Sequence, residues 1–154
     1  MVSMERATAE DKGLTFMTFQ ELIEILDAEL LAGNQHLEKE VKHAFAAHSL
    51  SDVLSFSPEG ALLVTGITNI QVVRIAELLD LSGIVFVGGK RPDAMTLKLA
   101  DKKNVLLLST PLVMFEACGI LFKNGLEGSI KTDTISATLM PSPLADPVTS
   151  VKGL

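Results

Sequence analysis

Short apolar runs alternate with helix-like patterns over the middle of this chain, and each run ends in small and polar residues. The runs cover residues 62–64, 84–87 and 105–108, and the clusters that follow them cover residues 65–69, 88–92 and 109–111. Continuous apolar runs of this length are typical of strands that are covered on both faces of a sheet. The pattern therefore predicts three buried strands, each followed by a polar turn.

The helix predicted over residues 68–79 has the strongest pattern in the sequence. Its apolar residues repeat at helical spacing, and Thr68 with Gln71 matches a capping box. In a capping box the threonine hydroxyl accepts a hydrogen bond from the first helical turn. The sequence therefore predicts that Thr68 begins this helix.

Two further helices are predicted after the second and third strands. Pro92-Asp93 opens the first of them, and Asn104 ends it. The second begins at Pro111, and residues 112–122 complete it. Proline is tolerated there because its missing N–H would have no partner inside the helix.

The amino-terminal third of the chain adds four shorter elements. Thr18 is predicted to cap a helix, residues 29–32 to form a short strand, and residues 41–47 to form another. Ser49 or Ser51 is expected to cap a short helix that follows. Strands and helices thus alternate from residue 18 onward.

This alternation predicts a single three-layer α/β domain over residues 18–126. The sheet is expected to be mostly parallel, with helices on both faces, because short connections between strand and helix favour right-handed crossovers. Residues 1–17 show no period and are predicted to be a flexible arm. Residues 127–154 are rich in Ser, Thr, Pro and Gly, and are predicted to be a disordered or loosely docked tail.

The composition is that of one globular domain. The chain has 154 residues, and a hydrophobic content of 47% argues against disorder of the whole chain. No apolar run approaches the roughly 18–20 residues that cross a bilayer, and the amino terminus lacks an apolar signal segment. The single cysteine, Cys118, excludes an internal disulfide and is expected to be a small core residue. We therefore expect a cytoplasmic protein with no membrane partner.

Charge and aromatic content argue against a nucleic-acid partner. The net charge is −6 and the pI is about 5.0, which disfavours binding to a phosphate backbone. Trp and Tyr are absent, so stacking platforms for bases would depend on seven Phe. His36 and His43 lack further ligands at metal-binding spacing, and we expect neither a metal nor a cofactor.

The polar clusters after the three strands are the candidate ligand-binding residues. They are Thr65, Gly66, Thr68 and Asn69 after the first strand, Gly88, Gly89, Lys90 and Arg91 after the second, and Ser109 and Thr110 after the third. Ligands of open α/β sheets lie at the carboxyl ends of the strands, where these clusters converge. Glycine amides beside two cations favour an anion such as phosphate or carboxylate.

Each cluster also has a purely structural interpretation. Gly88 and Gly89 suit a turn between strand and helix, with Lys90 and Arg91 solvated, and Thr68 suits a helix cap. Ligand contact and structural turn therefore both remain open for these residues.

Enzymatic chemistry has no complete signature in the sequence. The segment from Gly83 to Arg91 has the wrong spacing for a nucleotide-binding P-loop, and a hydrophobic strand occupies the place of the loop. His48, Ser49 and Asp52 lie too close together on one short element to act as a hydrolytic triad. They are instead expected to form a polar cluster, either structural or in contact with a ligand.

Three blocks of the sequence resemble the DRTGG domain family. The blocks cover residues 47–54, 63–71 and 83–92. Of the five residues that name the family, the chain keeps Gly88 and Gly89. Ile67, Thr68 and Asn69 stand in the neighbourhood of the Asp-Arg pair, and Val87 stands where Thr is usual.

The resemblance implies a regulatory role. Domains of this family are similar in fold to the amino-terminal domain of HPr kinase/phosphorylase, and they occur attached to phosphate acetyltransferases and, with CBS modules, to pyrophosphatases. The resemblance implies a homodimeric, non-catalytic module that senses a small anionic ligand, with a nucleotide or phosphometabolite as the candidate. The alternative is a dimeric assembly protein that has no small-molecule ligand.

Overall fold

The structure, a computed structural model, describes residues 16–128, and strands and helices alternate regularly from residue 43 onward. The strands are β1 (Met17–Thr18), β2 (Glu29–Ala32), β3 (Glu40–Val41), β4 (His43–Ala46), β5 (Leu62–Thr65), β6 (Gly83–Phe86), β7 (Leu107–Ser109) and β8 (Glu127–Gly128). The α-helices are α1 (Phe19–Leu26), α2 (Leu50–Phe56), α3 (Ile70–Leu78), α4 (Ala94–Lys103) and α5 (Met114–Lys123). A 3₁₀ turn, Asn34–His36, joins β2 to β3.

The main sheet has the strand order β2-β7-β6-β5-β4-β8. Neighbours from β7 to β8 are parallel, whereas β2 runs antiparallel to β7 at one edge. β1 and β3 form a separate antiparallel pair. The predicted α/β fold with a mostly parallel sheet is confirmed, and the three predicted apolar strands are β5, β6 and β7.

Alternating side chains of these strands feed two hydrophobic cores. Leu62 and Val64 pack with α1 and α5 on one face, whereas Leu63 packs with α2, α3 and α4 on the other. Successive residues of a strand point to opposite faces, so a continuous apolar run is needed when both faces are covered. The predicted helices on both faces are therefore confirmed, and they explain why β5 is apolar throughout.

Two predicted helix boundaries are confirmed by their capping contacts. The Thr18 hydroxyl accepts from the Glu21 N–H at 3.3 Å, and the Glu21 carboxylate accepts from the Thr18 N–H at 2.8 Å. At α4, the Asp93 carboxylate accepts from the Thr96 N–H at 2.8 Å, and Asn104 ends the helix with a φ of 58°. The hydrogen bonds from Thr96 hold the pKa of Asp93 below its ordinary value.

The start of α3 differs from its prediction by one residue. Asn69 rather than Thr68 is the N-cap, and its side-chain oxygen accepts from the Gln71 N–H at 3.0 Å. Asparagine is preferred over threonine at the N-cap position. The prediction that Thr68 caps the helix is wrong.

The start of α5 also differs from its prediction, by at least two residues. The helix begins at Met114, so Pro111 lies outside it, and it runs one residue past the predicted end. The Leu112 N–H donates to the Thr110 hydroxyl at 3.2 Å, and the Leu112 carbonyl accepts from the Gly88 N–H at 2.7 Å. These contacts hold residues 110–112 against the loop after β6, which delays the helix.

The innermost residues of the predicted arm and of the predicted tail form strands. Met17, assigned by sequence to the arm, is buried and forms β1, while Glu127 and Gly128 of the predicted tail form the edge strand β8. The rest of the predicted arm and tail lies outside the described residues. Within residues 16–128, no helix combines the length and apolar character needed to cross a membrane.

Replacement of the α3 cap tests the corrected helix boundary. Asn69→Ala is expected to lower the free energy of unfolding by about 1 kcal/mol, because a first-turn amide loses its acceptor. Thr68→Ala is expected to change it by less than about 0.5 kcal/mol. Urea unfolding of both variants measures the difference, and a larger loss for Thr68→Ala would restore Thr68 as the cap.

Gly83 allows α1 to pack against the sheet. A Cβ atom at Gly83 would lie 2.7 Å from Phe19 Cζ and 3.2 Å from the Leu106 carbonyl oxygen. Gly83→Ala is therefore expected to lower the free energy of unfolding by about 1–3 kcal/mol through overpacking. In a Phe19→Leu background, which removes the ring, the same substitution should cost less in urea unfolding. Equal costs in both backgrounds would show that the ring is not the obstacle.

Candidate functional site

The carboxyl ends of β4, β5, β6 and β7 lie at one edge of the sheet, because these strands are parallel. Each strand there leads into a loop that precedes a helix. β2 runs the other way, so its first residue, Glu29, also lies at this edge and pairs with Ser109. The predicted convergence of the three polar clusters follows from this topology.

His48, Gly66 and Lys90 meet where three neighbouring strands end. The Gly66 N–H donates to His48 Nδ1 at 3.1 Å. A Cβ atom at Gly66 would lie 2.8 Å from His48 Cε1 and 3.2 Å from Lys90 Nζ. Because Gly66 has no side chain, the imidazole and the ammonium group can both lie against its backbone. We call these three residues the edge cluster.

The hydrogen bond to Gly66 shows which nitrogen of the His48 ring acts as an acceptor. Nδ1 accepts a hydrogen bond, so it carries no hydrogen, and in neutral imidazole the hydrogen is then on Nε2. His48 is exposed, and its ring offers this N–H as a donor. The edge cluster therefore presents an N–H donor beside the three N–H donors of an ammonium group.

Gly88 and Gly89 do not offer their amides in the predicted way. Their N–H groups donate to the carbonyls of Leu112 and Thr110, at 2.7 Å and 2.8 Å. Both glycines have positive φ, 69° and 68°, a backbone conformation that residues with a side chain rarely adopt. The expectation that these amides approach an anion is thus corrected, since they join the β6 loop to the β7 loop.

The backbone of Lys90 is fixed by this loop, whereas its side chain is exposed. The Lys90 N–H donates to the Val87 carbonyl at 3.3 Å, and the Lys90 carbonyl accepts from the Ser109 hydroxyl at 2.7 Å. Among residues 16–128, no carboxylate forms an ion pair with Lys90. Its ammonium group therefore has no protein counter-ion in the described part of the chain.

Arg91 has a different partner from Lys90. Its guanidinium forms an ion pair with the Glu29 carboxylate at the start of β2. Both side chains are exposed, so water screens the pair and its contribution to stability is small. Of the two predicted cations, Lys90 and Arg91, only Arg91 thus has an ion-pair partner within the described residues.

Three predicted hydroxyl residues have structural partners. The buried Thr65 hydroxyl accepts from the Ile67 N–H at 3.2 Å, and the Ser109 hydroxyl donates to Lys90 as described. The Thr110 hydroxyl, also buried, donates to the Leu26 carbonyl at 2.5 Å. Together with the Asn69 cap, these contacts favour the structural interpretation for Thr65, Asn69, Ser109 and Thr110.

The polar group of His48, Ser49 and Asp52 is not a triad. Ser49 is the N-cap of α2, where its hydroxyl accepts from the Asp52 N–H at 3.4 Å and lies 2.8 Å from the Ser51 hydroxyl. His48 contacts Gly66 instead. His48 is absent from the predicted ligand residues because its partner, Gly66, lies 18 residues away in the sequence. The signal that would have found it is the adjacency of β4 to β5.

Metal ligands are not grouped in this part of the protein. Within residues 16–128, no three His, Cys, Asp or Glu side chains lie close enough together to hold a metal ion. Of the predicted ligand residues, Gly66 and Lys90 come together in the edge cluster, where His48 joins them.

Residues 21–122 match the family model of the DRTGG domain. This match covers well over half of the chain, and it includes β4 to β7 and every residue of the edge cluster. The protein belongs to the DRTGG domain family. Among curated proteins, no sequence matches the chain.

A solved structure of similar fold is the regulatory region of the Clostridium perfringens pyrophosphatase, which comprises CBS and DRTGG domains and was crystallised with its activator, diadenosine tetraphosphate. The two chains superpose with a TM-score of 0.57 at 19% sequence identity. The match covers 71% of this chain and 47% of the other. The present chain thus corresponds in fold to about half of that regulatory region.

The Thr110 hydroxyl is expected to stabilise the whole carboxyl edge. Thr110→Val should lower the free energy of unfolding by about 1–3 kcal/mol, because the Leu26 carbonyl and the Leu112 N–H lose a buried partner. Thr110→Ser keeps the hydroxyl and should recover most of the loss. Urea unfolding measures both, and a Thr110→Val variant as stable as the wild type would contradict this role of the hydroxyl.

Proposed function

We propose that this DRTGG domain is a non-catalytic regulatory module that binds a small anionic ligand, with nucleotides as the candidate class. The observation that carries the proposal is the edge cluster, in which Lys90 Nζ and His48 lie against the bare backbone of Gly66. The ligand would lie at the carboxyl edge of the sheet, where α/β domains bind small molecules.

Electrostatics favours a local site over a general attraction for anions. The whole chain carries a net charge of −6, so its long-range field repels an anion. Binding must then come from groups in direct contact, and hydrogen bonds to charged partners are the strongest available. The Lys90 ammonium supplies the charge, and the His48 N–H supplies a second donor at a fixed angle.

The other predicted residues support the cluster and shape its rim. Gly88 and Gly89 hold the loop that carries Lys90, and Ser109 fixes the Lys90 carbonyl. Thr68 is half-buried in the loop between Gly66 and the α3 cap, where its hydroxyl is free of the capping role. We propose direct ligand contact for Gly66, Thr68 and Lys90, with His48 added, and a positioning role for the remaining predicted residues.

The comparison with the pyrophosphatase region supports nucleotides as the class to test. That protein has a DRTGG domain and is complexed with diadenosine tetraphosphate. A dinucleoside polyphosphate carries several phosphates, each of which accepts hydrogen bonds from ammonium and imidazole groups. We propose that the domain forms a homodimer in the cytoplasm. A ligand of this kind then acts through the domain on a larger assembly.

Substitution of Lys90 tests the proposed site. Isothermal titration with diadenosine tetraphosphate, ATP and inorganic pyrophosphate should show binding of at least one probe to the full chain. Lys90→Ala should weaken that binding about 10- to 100-fold, because a charge-assisted hydrogen bond contributes about 1.5–3 kcal/mol. Lys98→Ala removes the same charge from the exposed surface of α4 and should leave binding unchanged.

Two results would contradict the site. Equal weakening by Lys90→Ala and Lys98→Ala would show that only net charge matters. Absence of heat with all three probes, confirmed by thermal shift at millimolar ligand, would remove the support for this ligand class. At a ligand concentration of about 100 times the dissociation constant, selective binding should stabilise the native state by about 2.7 kcal/mol, which a thermal shift detects easily.

Gly66→Ala tests the geometry without changing any charge. The added Cβ would meet His48 Cε1 and Lys90 Nζ, so the two side chains must separate. The φ of Gly66 is not positive, so alanine strains the backbone little. Binding should weaken about as much as in Lys90→Ala, while the free energy of unfolding changes by about 1 kcal/mol or less. Unchanged binding would place the ligand away from Gly66.

The alternative, a dimeric assembly protein with no small-molecule ligand, makes a different prediction. It requires a dimer whose mass is unaffected by any of the probes. Light scattering of the full chain at micromolar concentration, with and without each probe, measures this. A dimer that binds none of the probes would favour assembly, whereas probe binding lost in Lys90→Ala would favour ligand sensing.

A further inference from the structure

An apolar groove of about 380 Å³ lies between α5 and the β4–β8 edge of the sheet. Ala44, Ala46 and Gly119 form part of its lining where larger side chains would fill it. Phe115, Cys118 and Phe122 line it from α5. We call it the α5 groove, and it contains none of the residues of the edge cluster.

The α5 groove is too apolar to be left uncovered at no cost. Phe115 and Phe122 line it and are 83% and 75% exposed within the described part of the chain. Apolar cavities of about 150 Å³ hold a benzene ring, so the groove has room for more than one apolar side chain. Contiguous apolar surface of this kind marks a place where another segment or molecule packs.

β8 brings the chain directly to this groove. Glu127 pairs with His43, and Gly128 pairs with Ala44, so β8 runs parallel to β4 along its outer edge. Gly128 itself lines the groove. β4 continues for two more residues, Phe45 and Ala46, and within residues 16–128 nothing pairs with these two on the β8 side.

We propose that residues 129–131 continue β8 along β4 and that Ile130 fills the α5 groove. Continued parallel pairing places Ser129 beside Phe45 and Ile130 beside Ala46. Neighbouring residues in parallel strands point to the same face, and residues two apart on one strand share a face. Ala44 and Ala46 lie two residues apart on β4 and both line the groove, so Ile130, beside Ala46, falls on the groove side.

The sequence after Gly128 has the alternation that this strand requires. In this strand Ile130 lies on the groove face, whereas the charged residues Lys131 and Asp133 fall on the opposite face. Thr132 and Thr134 share the face of Ile130, and threonine and isoleucine both favour strands. A shift by one residue would direct Lys131 into an apolar groove.

The chain's own segment is favoured over a second copy because it is already tethered at the groove. Ile130 is two residues from Gly128, a groove-lining residue, and a tether this short gives a very high effective concentration. A second copy would have to displace this segment or pack over it. Occupation by a second copy is therefore the competing outcome in the test.

Cys118 provides a direct test, because it is the single cysteine of the chain and it lines the groove. In the full chain carrying Ile130→Cys, mild oxidation should join residue 130 to Cys118 within one molecule. The product should migrate as a monomer on a non-reducing gel and have no free thiol. Lys131→Cys is the matched control, since its side chain is on the opposite face, and it should remain unlinked under the same conditions.

The other products overturn the proposal. A disulfide-linked dimer in Ile130→Cys would assign the groove to a second copy. Equal linkage of the two variants would show that the segment has no fixed register, and absence of linkage in both would show that Ile130 does not reach the groove. Gel mobility with intact mass distinguishes all of these products.

Alkylation of Cys118 in the full chain gives an independent measurement. Burial raises the pKa of this thiol, so the reaction is followed under alkaline conditions. Ile130→Asp should expose the thiol and increase the alkylation rate about tenfold, which corresponds to about 1.4 kcal/mol. Lys131→Asp should leave the rate unchanged. Equal rates in the wild type and in Ile130→Asp would contradict the proposal.

Discussion

The hydrogen bonds between the loops after β6 and β7 are the constraint on which the carboxyl edge depends. The Thr110 N–H donates to the Phe86 carbonyl, and the Gly88 and Gly89 N–H groups donate to carbonyls of residues 112 and 110. The Thr110 hydroxyl joins the same region to the end of α1 through Leu26. This network requires two consecutive residues with positive φ, which explains why Gly88 and Gly89 stand together.

The network has two consequences at once. It holds the backbone of Lys90 so that its side chain lies over Gly66, beside the ring of His48. It also delays α5 until Met114. α5 then lines the groove in which we place Ile130. Gly88 and Gly89 therefore connect the loops after β6 and β7, and the ammonium group of Lys90 beside them is the group that we propose binds the ligand.

The sequence was sufficient for features that depend on local pattern and insufficient for those that depend on distant partners. The strands β5, β6 and β7 were predictable because burial on both faces demands continuous apolar runs, and the Asp93 and Thr18 caps because their partners lie three residues away. The roles of the Gly88 and Gly89 amides were not predictable, since their acceptors lie on the next strand's loop. His48 was missed as a partner of Gly66 for the same reason.

The most direct test of the account is an amide NMR titration of the full chain with diadenosine tetraphosphate. The account predicts chemical-shift changes that are largest at Gly66, whose N–H donates to His48, and at neighbouring residues of the carboxyl edge. The Gly88 and Gly89 amides should stay protected from hydrogen exchange throughout, because they donate to backbone carbonyls. Changes centred on another surface, or a spectrum that does not respond to the ligand, would contradict the central claim that the edge cluster is the binding site.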